Sequence, residues 1–109
     1  MSRLLVLLAL IVGQMNTLQE KPVVRLQPHS AAIPISFGGK QLELINAPAM
    51  ISLPKSPPKQ DDQGDRWLIQ IKNFGPNAVS VVDAGHFNIQ INVGQTVQIE
   101  SNGERYLRR

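Results

Sequence analysis

The chain contains no cysteine. That excludes a disulfide framework, a thiolate metal centre and a cysteine nucleophile, and it leaves packing alone to hold an exported domain together. Aromatic residues are almost missing: Phe37, Phe74, Phe87, Trp67 and Tyr106 are the whole set. The core is therefore expected to consist of valine, isoleucine and leucine. Charge of one sign is scarce as well. The formal net charge is +3 and the basic residues are scattered, whereas a nucleic-acid footprint gathers them on one face. No apolar run approaches the roughly 20 residues that a membrane-spanning helix needs. Neither an internal repeat nor a helix of useful length can be traced.

What is present begins with an apolar run. Residues 4–12 are apolar throughout, Arg3 precedes them and Gly13 follows. A basic residue ahead of a short apolar run matches a secretory signal, so residues 1–13 are expected to be a signal peptide and 14–22 a polar leader. Its removal would take Arg3 and lower the net charge by one. The expected location is secreted or periplasmic. If residues 1–13 are not a signal, the chain is cytoplasmic or part of a virion.

From residue 23 onward the pattern is that of strands. Val23 to Leu26 is expected to form a first short strand, ended by Pro28. Ile33, Ile35 and Phe37 alternate, Gly38 and Gly39 suit a tight turn, and Leu42 and Leu44 alternate on the return. This spacing predicts a hairpin whose first arm, carrying Pro34, is an edge strand. Proline crowds residues 54–65, which predict an exposed, mobile loop, with a short strand just ahead of it at 50–53. Then alternation becomes regular: Trp67, Ile69 and Ile71; Val79 and Val81; Phe87, Ile89, Ile91 and Val93; Val97 and Ile99; and a last strand around Tyr106 and Leu107. Turn residues separate these runs at 73–77, 83–85, 94–95 and 101–103.

About five strands at regular spacing, covered by the preceding hairpin as a second layer, predict an all-β fold. The expected architecture is a small antiparallel β-sandwich, immunoglobulin-like or similar, with about six to eight short strands. The domain is expected to span residues 23–109. The stretch Asn73-Phe74-Gly75-Pro76-Asn77-Ala78-Val79, followed by Gly94-Gln95-Thr96-Val97, resembles a turn-and-strand theme of immunoglobulin-like modules and of small bacteriophage structural proteins. It lacks the paired cysteines of antibody domains.

Chemistry-bearing clusters are few. His29 and His86 stand far apart, with no second histidine at metal-ligand spacing. Asp61, Asp62 and Asp65 lie near one another, but without the ordered spacing of an EF-hand loop. Glu43, Glu100 and Glu104 fall where strands or turns expose them. No serine sits in a nucleophile elbow, and no glycine-rich loop precedes a helix. No enzyme, cofactor or small-molecule substrate is therefore expected.

The candidate surface-contact residues are Asn88, Gln90, Asn92 and Gln98. The first three share one face of one strand, and Gln98 and Gln70 are expected on the same side of neighbouring strands. Amides there suit hydrogen bonds to a partner or a sugar. The expected function is a non-enzymatic module acting through surface or edge-strand contacts with a protein partner or with itself. The alternatives are a structural component of a virion or other assembly, and a small carbohydrate- or Ca²⁺-binding module.

Overall fold

A computed structural model describes residues 21–83 and 87–109. The expected signal segment, nearly all of the polar leader, and His86 lie outside the described residues. Among the described residues eight strands follow in chain order: β1 (Val23–Arg25), β2 (Gln41–Leu44), β3 (Met50–Ser52), β4 (Leu68–Asn73), β5 (Val79–Val82), β6 (Asn88–Ile91), β7 (Thr96–Ser101) and β8 (Tyr106–Arg108). A 3-10 turn, Ile35–Phe37, precedes β2. The described residues contain no α-helix, and so none long and apolar enough to cross a membrane.

The strands form two sheets, β1-β2-β4-β7-β8 and β3-β5-β6. Both are mixed, which corrects the antiparallel expectation. β1 and β2, β2 and β4, and β3 and β5 pair in parallel; β4 and β7, β5 and β6, and β7 and β8 pair antiparallel. The strand run after residue 66 therefore does not make one layer. It supplies β4, β7 and β8 to one sheet and β5 and β6 to the other.

The expected hairpin at Ile33–Leu44 does not form. The segment between β1 and β2 crosses to the smaller sheet, where Ile33 N–H donates to Ser52 O and Ser52 N–H donates to Ala31 O, both at 2.8 Å. It then turns back through Ile35–Phe37, so β2 enters parallel to β1 and slots between β1 and β4. Parallel neighbours need a crossover of about a dozen residues or more, and residues 26–40 supply it.

Gly38 has φ −58°, so it is not the positive-φ turn residue expected. Its lack of a side chain matters for another reason: the Trp67 ring lies directly against its Cα. The indole N–H donates to Ile35 O at 2.8 Å. Trp67 thus binds one end of the crossover on its ring face and the 3-10 turn on its nitrogen.

The inward faces of both sheets meet in one core: Leu42, Leu44, Ile69, Ile71, Val97 and Ile99 from one, Ile51, Val79, Val81 and Ile91 from the other, with Ile33, Leu53, Trp67 and Tyr106 closing it. Alternation in the sequence identified most of these because a pleated strand sends every second side chain to one face. Val93 departs from it. β6 ends at Ile91, and Val93 sits 54% exposed in the turn beyond.

The proline-rich stretch 54–65 is anchored rather than lying free. The Tyr106 hydroxyl donates to Pro54 O at 2.6 Å and the Ser101 hydroxyl to Pro58 O at 2.6 Å. Asp61 Oδ1 accepts the N–H groups of Gln63 and Asp65, which closes the acidic tip on itself.

Tyr106 packs edge-on against Trp67, with ring centroids 5.9 Å apart. Burial pushes its phenol well above the usual value, and the charge of Asp83 adds to the effect. The unfolded chain therefore releases this proton first, near pH ~10, and stability present below that pH is lost as pH rises above it. Tyr106→Phe is expected to cost about 1–2 kcal/mol at pH 7, where the Pro54 carbonyl loses its donor. The gap to the wild type should narrow at pH 11, as urea melts at the two pH values will measure.

Candidate functional site

The structure divides the four amide residues between the two sheets. Asn88 and Gln90 lie on β6, exposed, on the outer face of the three-stranded sheet. Asn92 follows in the turn, where its side-chain oxygen accepts from Gln90 Nε2 at 3.1 Å and its N–H donates to Gln95 Oε1 at 3.0 Å. Gln98 belongs to β7 in the other sheet, with its Nε2 donating to Gln70 Oε1 at 3.4 Å. Register aligns Gln41, Gln70 and Gln98 in one row across three strands. Sequence reasoning missed Gln41 because the parallel pairing of β2 with β4 leaves no local signal.

The sheet edges differ sharply. On β3, the outer backbone groups of Ser52 are taken up by residues 31–33. β1 is three residues long, stands between Pro22 and Pro28 and carries Arg25. β8 ends in Arg108, followed by Arg109. Short length, proline and charge are the usual means of blunting a strand edge. β6 has none of the last two: it reads Asn-Ile-Gln-Ile.

Among the described residues no strand pairs with the outer side of β6, and the direction of its backbone groups there follows from the ladder. Asp83 N–H donates to Phe87 O at 3.0 Å, which makes this a hydrogen-bonded pair. In an antiparallel ladder such pairs alternate with non-hydrogen-bonded ones. With Val82 opposite Asn88, Val81 opposite Ile89 and Ser80 opposite Gln90, Ile89 bonds to β5. Asn88 and Gln90 turn their N–H and C=O groups away from it. The two residues with exposed amide side chains are thus the two with outward backbone groups. Sequence alternation identified the first property; only strand order reveals the second.

A second feature lies at the end of the molecule where β1, β2 and β4 finish. Asn73, 1% exposed, ties it together. Its Nδ2 donates to Asn77 O at 2.8 Å and Ile91 O at 2.9 Å, and its Oδ1 accepts Gly75 N–H at 2.9 Å. Around this knot Phe74 N–H donates to Leu44 O and Gly94 N–H to Asn73 O, which brings Ile45, Phe74 and Val93 to the same end, each about half exposed. Lys72 Nζ stands 5.0 Å from the Phe74 ring centre.

Beside it is a cleft of about 130 Å³ whose lining includes Arg25, His29, Glu43 and Asn46. Arg25 is paired with Glu43, its Nη2 3.1 Å from Oε1. His29 and Asn46 have positive φ, 66° and 53°. Ligand pockets usually span ~300–1,000 Å³, so this cleft has room for a side chain or a few waters, not for a substrate of ordinary size.

No protein-family model, curated protein or solved structure matches the chain. Among the described residues, no three His, Cys, Asp or Glu side chains converge as a metal site would require. Glu100 departs from its expected exposure. It is 9% exposed on the outer face of β7, and Arg66 and Arg109 each place Nη1 3.6 Å from its Oε2. The two largely exposed arginines more than offset the charge of this one carboxylate.

Proposed function

We propose that the chain is an exported, non-enzymatic β-sandwich module that holds a protein partner by strand addition along β6. The observation that carries this reading is the coincidence, at Asn88 and Gln90, of outward backbone groups with neutral amide side chains on an edge free of charge and proline. A strand laid there gains main-chain hydrogen bonds, and the amides select what lies beside it. This replaces the expected edge at Ile33–Phe37, much of which is a 3-10 turn. Export rests on the Arg3-led apolar run, and the non-enzymatic reading rests on the sequence, in which no acid, base and nucleophile set at catalytic spacing can be traced.

A photo-crosslinking side chain placed at position 90 in the full-length chain, expressed in cells, tests the proposal. A protein adduct is expected from position 90 and not from position 98, on the outer face of the other sheet. Mass spectrometry of the recovered protein should find residues 1–13 removed. No adduct at position 90 rejects strand addition; an intact Met1 on the recovered protein rejects export.

A further inference from the structure

We infer that the strand added to β6 is β6 of a second copy of this chain, which makes the protein a symmetric dimer with one continuous six-stranded sheet across its interface. The inference rests on the strand-addition reading and names its partner.

The first argument is self-complementarity. A two-fold axis through Ile89 sets Asn88 of one protomer opposite Gln90 of its partner, and the reverse. All four residues have outward N–H and C=O groups, so the contact closes four main-chain hydrogen bonds. Amide then meets amide on the outer face. On the inner face Ile89 meets its own copy, and Phe87 is set opposite Ile91, which its own core already covers. Isologous contacts require this kind of self-match.

The second argument is charge. A homotypic contact brings like residues together, so a charged edge repels itself. β1 carries Arg25 and β8 carries Arg108, whereas β6 carries no charge.

The third is the unfinished core. Ile69, Ile71 and Val81 are fully buried, while Phe87 and Ile89, which also face inward, are only partly buried and pack at the margin of the cluster. A second β6 supplies the apolar neighbours missing on that side.

A bond already made excludes one neighbouring register. Sliding the partner by two residues would set Asn88 opposite Asn92, whose N–H is engaged by Gln95 Oε1. The register centred on Ile89 uses only groups without a partner among the described residues.

Sedimentation velocity of the full-length chain should find a dimer. The double variant Asn88→Lys/Gln90→Lys puts lysines opposite lysines and should weaken the dimer at least about tenfold. Asn88→Glu/Gln90→Glu should do the same. An equimolar mixture of the two should associate again, and added salt should weaken that association. Gln90→Pro removes an outward N–H and no bond to β5, and should also yield monomer. A cooperative melting transition will establish that each variant is folded; should a charged variant fail to fold, Gln90→Pro decides. A monomeric wild type, a dimer that survives these changes, or lysine and glutamate chains that do not pair would overturn the inference. A monomer that still crosslinks to another protein from position 90 rejects the second copy and keeps strand addition.

Discussion

Replacing Gly38 by alanine is expected to destabilise the protein by about 2–4 kcal/mol, the cost of overpacking against a buried indole together with the loss of its part-buried hydrogen bond. The backbone does not cause this, since φ −58° suits alanine as well as glycine. The cause is the Trp67 ring. A methyl group at Gly38 would overlap the Cδ1 and Nε1 atoms of the indole, closer than a real Cβ approaches any heavy atom. Trp67 has no exposed surface and is bound through its N–H to Ile35 O. For the ring to retreat, that bond must break; for the backbone to retreat, the crossover between β1 and β2 must shift. Urea melts will measure the loss. A double-mutant cycle with Trp67→Leu should give a combined cost well below the sum of the single ones, because the overlap vanishes with the indole. An alanine variant as stable as the wild type would mean that Trp67 does not pack against this turn.

Asn73→Ala is expected to cost about 2–5 kcal/mol. The side chain satisfies three backbone groups, of which the Gly75 N–H and the Ile91 carbonyl belong to buried residues. The Gly75 N–H is left without a partner, at ~1–3 kcal/mol, while the Asn77 and Ile91 carbonyls each lose one donor, at ~0.5–1.5 kcal/mol; Ile91 O keeps the Val79 N–H of its ladder pair. Asn73→Asp should cost more at neutral pH. The new carboxylate still accepts from Gly75 N–H but faces the carbonyls of Asn77 and Ile91 without a proton to offer. Protonation restores one donor. The variant's folded-state pKa is therefore raised, and its deficit relative to wild type should shrink as pH falls toward 4. Melts of the three proteins at pH 7 and pH 4 measure both effects. The same experiment bears on the loop end. Asn73 holds the segment carrying Phe74 and the end of β6 together, so amide exchange should quicken at residues 74–78 and 91–95 in both variants.

Legibility in the sequence varied with the range of the interaction. The turn at 101–103 and the strands on either side were evident, since Ser101, Asn102 and Gly103 act on their immediate neighbours: Asn102 Oδ1 takes the N–H groups of Glu104 and Arg105. Ile69, Ile71, Val79, Val81, Ile91, Val97 and Ile99 were identified as core by alternation alone. The hairpin at residues 33–44 misled because two glycines between alternating apolar residues suit a turn. Nothing local records that Gly38 serves Trp67, 29 positions along the chain. Glu100 looked exposed because alternation places it on the outer face, and only its neighbours determine that Arg66 and Arg109 cover it.

The amides at Asn88 and Gln90 follow the same division. Period-two alternation by itself determined that their side chains lie opposite Ile89 and Ile91, away from the core, because a pleat has no other arrangement. Alternation also pointed to a β protein, and composition determined its aliphatic core and the lack of cysteine chemistry. Tertiary structure alone decided that β6 is an edge, that Gln98 belongs to the other sheet, and that the backbone groups of Asn88 and Gln90 point outward. The reason is that strand order and ladder phase come from which segments pair across the chain. Those pairings join residues far apart in sequence, and the contacts that select them leave no periodic mark on either partner.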